Sequence, residues 1–191
     1  MPSADRRRAP PARIAALLLP LLLTACGGTF DDLFPSSADH SGGAAGTTGP
    51  AVGQTAPDFA LPDTLPAAAG ATVTLSGTLA TRRAAVLYFV MWCPICDEHL
   101  MDMAEWVIPA APGVAFLALD YVSGSVEQSW ASRRAAGWGG PDFTVLLDAG
   151  AATERTYQRG MGVVVIDAAG VVRMNGAYQR QALLSLLEGL P

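Results

Sequence analysis

A chain of 191 residues that is 51% hydrophobic and 15% charged has apolar material for one domain with a real core and too little for two large ones. It contains no lysine, and its 12 arginines stand against 17 carboxylates for a net charge of −5. Past residue 25 the arginines cluster no further than the pairs Arg82-Arg83 and Arg133-Arg134, so nucleic acid is excluded as an expected partner.

Arg6, Arg7, Arg8 and Arg13 precede an apolar run from Ile14 to Leu23, interrupted by Pro20, and Leu23-Thr24-Ala25 lead into Cys26. Ten apolar residues fall short of the roughly 20 that a membrane-spanning helix needs. A basic start, a short apolar stretch and small residues before a cleavage point are the parts of a secretory signal. Residues 1–25 resemble a bacterial lipoprotein signal peptide. The resemblance implies that Cys26 carries the lipid and becomes the mature N-terminus, unavailable for a disulfide; an ordinary signal with a chance cysteine is the alternative. The mature part then has 8 arginines and 16 carboxylates, a net charge of −8. Gly27 is not the aspartate associated with inner-membrane retention, so the resemblance implies attachment to the outer membrane, facing the periplasm.

Residues 26–50 are rich in Gly, Ser, Thr and Ala without apolar periodicity and read as a flexible tether, with His40 a surface residue within it. The folded domain is expected over 51–191. It opens with Ala56-Pro57-Asp58-Phe59, and Ala71 to Leu75 alternates as a short strand does, which predicts an N-terminal hairpin. Ala84 to Met91 is a continuous apolar run of strand length, suited to a central strand covered on both faces. Glu98 to Val107 has helical spacing and is expected to stop at Pro109 and Pro112-Gly113. Val114 to Leu119 reads as a second buried strand, Ser125 to Ala136 as a helix, Phe143 to Leu147 as a strand and Ala151 to Gln158 as a short helix. Val163 to Ile166 and Val171 to Met174 flank a turn at Asp167-Ala168-Ala169-Gly170, and Gln179 to Leu187 closes as a helix. Strands alternating with helices predict an α/β fold: a central mixed β-sheet flanked by helices, with an N-terminal hairpin extension.

Trp92-Cys93-Pro94-Ile95-Cys96 follows the first buried strand and opens a helical stretch. Pro94 suits the first helical position, where a missing N–H costs nothing and the fixed φ is already helical, so Cys93 becomes the N-cap. There its sulfur faces unpaired N–H groups and the positive end of the helix dipole, which favours a thiolate over a free thiol near pKa ~8.5. Cys93 is the expected nucleophile. Cys96, one turn inward, is expected to resolve a mixed disulfide by attacking the Cys93 sulfur. Asp97 and Glu98 bring negative charge close to the same sulfur and oppose the dipole.

The order of elements, Ala56-Pro57-Asp58-Phe59, the strand into the cysteine pair and the ending Val165-Ile166-Asp167 with Gly170 resemble the thioredoxin superfamily, and within it the membrane-attached thiol–disulfide oxidoreductases of the TlpA and ResA type, also called redoxin domains. The resemblance implies a thioredoxin-like fold and a disulfide reductase acting on the thiols and disulfides of other proteins. It also implies an upstream electron donor to recycle the pair, no cofactor and a monomer. His99, three residues past Cys96, stands where ResA-type proteins commonly carry a glutamate that handles protons for the second thiol. An imidazole can do that work near neutral pH, and a histidine packed in the core is the other reading. Thioredoxin's buried aspartate would fall at Leu87. The superfamily's cis-proline falls at Met161, in Arg159-Gly160-Met161-Gly162, a departure that leaves a thioether to pack against the sulfurs. Trp92, Pro94, Ile95 and Met161 are the expected substrate-binding surface.

Two rivals stay open on the residues. Cys93 and Cys96, with His99 or Met161, form a soft set suited to Cu(I), which would make the protein a metallochaperone; structural zinc is poorer because no fourth strong ligand is available. Met101 and Met103 fall on different helical faces and make no methionine motif. A peroxiredoxin-like peroxidase would want a proline and a hydroxyl residue where Val86 and Val90 stand. A purely structural bridge is disfavoured, since so short a loop stabilises little.

Overall fold

The computed structural model describes residues 42–68, 71–138 and 143–191. Cys26, His40 and the segment 1–25 lie outside them. A five-stranded mixed sheet in the order β5-β4-β3-β6-β7 forms the centre. Its first strand in sequence, β3 (Ala84–Val90), is buried at every residue. It runs parallel to β4 (Val114–Asp120), which is itself parallel to β5 (Thr144–Leu147). On its other side β3 lies antiparallel to β6 (Val163–Asp167), which pairs with β7 (Val172–Gly176). A strand flanked on both edges and both faces has no room for polar residues, which is why its sequence is an unbroken apolar run.

The two-residue period of β3 divides the core. Ala84, Val86, Tyr88 and Val90 face Cys96, Leu100, Met103 and Val107 of the helical stretch that follows, together with Leu183 and Leu187 of α6 (Arg180–Glu188). Ala85, Leu87 and Phe89 face the other way, onto Phe59 and Leu61 of the N-terminal segment, Leu75 of α1 (Leu75–Leu79) and Tyr157 of α5 (Ala152–Tyr157). The remaining helix, α4 (Val126–Ala135), is capped by the Ser125 hydroxyl, which accepts from the Gln128 N–H at 3.2 Å. The N-terminal hairpin is present as β1 (Ala60–Pro62) against β2 (Thr72–Thr74), a separate two-stranded sheet. The β6–β7 turn closes as expected: the Asp167 carboxylate accepts from Ala169 and Val171 N–H, and Gly170 takes the φ of +76° that the turn requires.

Two readings are corrected. The helix after β3 begins at Pro94, as the expected cap at Cys93 requires, but it passes Pro109 instead of stopping there. It runs as α2 (Pro94–Asp102), a π-turn (Met103–Val107) and a last turn, α3 (Ile108–Ala110). The π-turn widens the ladder, so that Ile108 N–H reaches the Met103 carbonyl and the proline ring is accommodated without its missing N–H. The chain leaves the helix only at Ala111, ahead of Pro112-Gly113. The tether is also shorter at its end than read: Gly43 N–H bonds the Val52 carbonyl, Thr55 N–H the Thr47 carbonyl, and Asn175 Nδ2 the Pro50 carbonyl. Polar composition concealed this segment because it is held by backbone hydrogen bonds rather than apolar burial. Among the described residues no helix is long and apolar enough to cross a membrane.

Candidate active site

The cysteine pair sits where β3 hands over to α2, at the C-terminal end of the central strand. Cys93 has extended backbone (φ −95°, ψ 158°) and is the N-cap, with Pro94 directly after it. Its sulfur accepts from the Cys96 N–H at 3.2 Å, satisfying one of the orphan donors of the first turn. The two sulfurs are joined in a disulfide with 5.0 Å between Cα atoms. Cys96 is fully buried under β3, whereas Cys93 is half-buried. The sulfur with more access is the one at the dipole end of the helix.

Trp92 holds this geometry from the N-terminal side. Its φ is +54°, a left-handed backbone that costs a bulky L-residue roughly 1–2 kcal/mol. The indole Nε1–H donates to Asp120 Oδ2 at 2.7 Å. Asp120 ends β4, opposite Val90 in the parallel register, and is fully buried. Its Oδ1 accepts from Val122 N–H at 3.1 Å and Ser123 N–H at 3.0 Å. A three-bond carboxylate thus clamps the strained residue that precedes Cys93. This residue was missed in the sequence, although a carboxylate ending an apolar strand next to the cysteine-bearing strand is a usable signal.

Met161 reaches the site from the loop before β6. Its Sδ lies 3.6 Å from Cys93 Sγ, and its φ is +39°. No cis peptide bond occurs among the described residues. This loop is shaped by left-handed backbone at Gln158 and Met161.

His99 Nδ1 shares a hydrogen bond of 3.0 Å with the Tyr88 hydroxyl, and its ring lies 4.8 Å from that of Tyr178, tilted by 46°. Tyr178 donates to Asp102 Oδ2, whose other oxygen receives Arg180 at 2.7 Å. His99, Asp102, Tyr178 and Arg180 line a shallow pocket with Ile95 and Glu98. His99 thus packs against Tyr88 of β3 and Tyr178 and lines the cleft, and among the described residues its hydrogen bond goes to Tyr88 and not to either cysteine. Burial holds its pKa below the ordinary 6.5, against the opposing pull of Glu98 and Asp102. Burial pushes the Tyr88 hydroxyl well above its ordinary value, with Tyr121 and Asp97 adding to the shift. Asp97 keeps one buried carboxylate oxygen without a hydrogen-bond partner among the described residues. Tyr88 was concealed inside the apolar run, and Tyr178 and Arg180 lie nearly 80 residues away in sequence.

The sign of the His99 shift fixes a pH dependence. Above pH 6.5 both folded and unfolded histidine are neutral, so nothing is lost; as pH falls below 6.5 the unfolded chain takes the proton first and stability declines. Glu154, raised by burial, titrates with the opposite sign. His99→Asn is expected to remove the histidine part of the decline below pH 6.5, read as melting temperature against pH. An unchanged slope would assign it to other groups.

Pro94 and Ile95 lie exposed on the first turn, Ile95 at 41%, beside exposed Met91 and Val122. Among the described residues no cluster of three or more His, Cys, Asp or Glu side chains could hold a metal ion. Met101 is exposed and Met103 fully buried, as their helical phases predict.

The sheet order and the capped cysteine pair define a thioredoxin-like redoxin domain. The chain belongs to the AhpC/TSA family, which it matches over residues 52–175. Solved structures with the same fold include a reduced Plasmodium vivax 2-Cys peroxiredoxin, 18% identical with a TM-score of 0.59, covering 72% of this chain and 80% of that one. A secreted Mycobacterium tuberculosis disulfide oxidoreductase homologous to E. coli DsbE is 22% identical with a TM-score of 0.51, covering 69% and 96%. DsbF of the same bacterium is 19% identical with a TM-score of 0.55, covering 70% and 95%. At these identities the likeness establishes the fold alone. No curated protein sequence matches the chain.

Proposed function

We propose that the protein is a thiol–disulfide oxidoreductase of the bacterial envelope, which reduces disulfides of other proteins through Cys93 and Cys96 and is itself recycled by an upstream electron donor. The observation that carries this reading is the disulfide itself: an accessible sulfur at the N-cap bridged to a buried one a turn inside the same helix. That asymmetry separates attack from resolution. Cys93 meets the partner, and Cys96 waits where no partner reaches. Trp92, Pro94, Ile95 and Met161 form the contact surface, and Met91 and Val122 extend its apolar rim. The lipoprotein-like signal supports a tether through Cys26 to the periplasmic face of the outer membrane. Reduction as the direction follows the resemblance to TlpA and ResA.

Cys96→Ser tests the reading. With the resolving thiol gone, Cys93 is expected to accumulate as mixed disulfides with partner proteins, seen as reducible high-mass adducts on non-reducing gels. Adducts no more abundant than in the Cys93→Ser,Cys96→Ser double variant would overturn it.

The Cu(I) reading draws on one observation, the Met161 thioether as a third soft donor beside Cys93. Anaerobic titration of the reduced protein separates the two: on the exchange reading no tight one-to-one Cu(I) complex forms, and on the copper reading one does. Peroxidase activity ranks behind both, because Val86 and Val90 are buried apolar side chains that offer peroxide no hydrogen bond.

A further inference from the structure

The loop carrying Met161 follows the left-handed C-cap of α5 at Gln158 and is tightly braced. Gln158 and Met161 both take left-handed backbone, each unfavourable by about 1–3 kcal/mol for a residue other than glycine. Arg159 between them is buried, with Nε on Asn175 Oδ1 at 2.8 Å, and Asn175 also donates to the Tyr157 carbonyl. Gly162 has no room for a side chain: a Cβ there would lie 2.7 Å from the Gly176 carbonyl oxygen. This bracing sets a thioether sulfur 3.6 Å from Cys93 Sγ, close to the ~3–3.5 Å of a near-attack geometry. An isosteric leucine would fill the same space without an oxidisable atom.

We propose that Met161 is a third redox sulfur of this site: peroxide oxidises it to the sulfoxide, and the Cys93–Cys96 dithiol reduces it back in place. In the first step hydrogen peroxide transfers one oxygen to Met161 Sδ and leaves as water. In the second, the Cys93 thiolate attacks the sulfoxide sulfur. A bond forms between Cys93 Sγ and Met161 Sδ while the protonated S–O bond breaks, and the oxygen departs as water with the protons of the two thiols. In the third, the Cys96 thiolate attacks Cys93 Sγ, the Cys93–Cys96 bond forms, and the electron pair of the broken Cys93–Met161 bond returns to the thioether. One sulfoxide and two thiols become one thioether, one disulfide and one water. Met161 is half-buried, so a molecule as small as peroxide reaches it. The function of the step is repair: a polar sulfoxide against the nucleophile would obstruct a partner's approach, and the electrons that clear it are already beside it.

The test starts from the purified protein in its disulfide form, in which peroxide oxidises methionines while the cysteines are protected. Peroxide is removed, the disulfide is reduced with dithiothreitol, the reductant is stripped anaerobically, and proteolytic peptides are weighed over time. Met101, 59% exposed, is the internal reference. The expected result is loss of one oxygen from at least about half of the Met161 sulfoxide, the share of one epimer, with one Cys93–Cys96 disulfide re-formed per sulfoxide lost. The Met101 sulfoxide persists throughout, and Cys93→Ser retains the oxygen at Met161. Met161 sulfoxide lasting as long as that of Met101 in the reduced wild-type protein would overturn the proposal. So would a Met161 that peroxide leaves intact while Met101 is oxidised. Disulfide exchange by unoxidised protein is assayed separately, so failure of the repair step and failure of the proposed function are told apart.

Discussion

Cys93→Ser is expected to lower disulfide-exchange activity by at least about a thousandfold, since removing a nucleophile that acts in concert with a second group abolishes nearly all of the catalysis. The fold should survive it. The Cys93 sulfur caps α2 by accepting from Cys96 N–H, and a serine hydroxyl is among the best residues for that role, so the helix start keeps its partner. Losing the bridge removes a cross-link over a four-residue loop, about 2 kcal/mol on the chain-entropy account, and nothing relative to the reduced protein. The measurement is a pair: turnover of a protein disulfide substrate, and thermal melting under reducing conditions. Lost turnover with unchanged melting assigns Cys93 to chemistry. Turnover within tenfold of wild type would remove it as the nucleophile.

How much of this was legible in the sequence depends on the range of the forces involved. The strand Ala84 to Val90 and the cap at Cys93 could be read because burial on both faces and a proline at the first helical position leave their marks within a few residues. The hairpin at Asp167 to Gly170 was readable for the same reason. The continuation of the helix past Pro109 was not, because a π-turn is a compromise with tertiary packing: Met103 and Val107 are both fully buried, and the wider turn keeps them on the core side. Nor was the ordering of 43–50, which depends on Asn175 and Val52 rather than on its own composition.

At the site, the superfamily resemblance pointed to Met161 in the cis-proline place, and the contact with Cys93 puts it beside the sulfur. What surrounds His99 was out of reach. Tyr88 comes from β3, while Tyr178 and Arg180 come from the far end of the chain, meeting Asp102 only because α6 packs on the same sheet face as α2. Leu87 shows why the thioredoxin solution is closed to this protein. It points to the opposite face from Cys96, into an apolar cluster with Phe59 and Tyr157, and polar groups near the buried thiol come instead from Tyr88 and the α2 surface.

Asp120→Ala is expected to destabilise the protein by about 3–5 kcal/mol, which for a domain of this size lowers the melting temperature by roughly 6–20 °C. The carboxylate satisfies three donors, Trp92 Nε1–H and the N–H groups of Val122 and Ser123, and Ser123 is buried, so water replaces those bonds poorly. Asp120→Asn does not rescue it fully, because an amide presents an oxygen to one side and an N–H donor to the other. One set of donors is then left facing a donor. The bond to Trp92 also offsets a left-handed backbone immediately before Cys93, so its loss frees that residue to relax and moves the cap with it. A double-mutant cycle with Trp92→Phe isolates the bond from the turn contacts, and a coupling of about 1.5–3 kcal/mol is expected for a hydrogen bond to a charged group. A coupling near zero, with both single variants destabilised, would locate the whole effect in the Val122–Ser123 turn and leave the backbone of Trp92 to be held by packing alone.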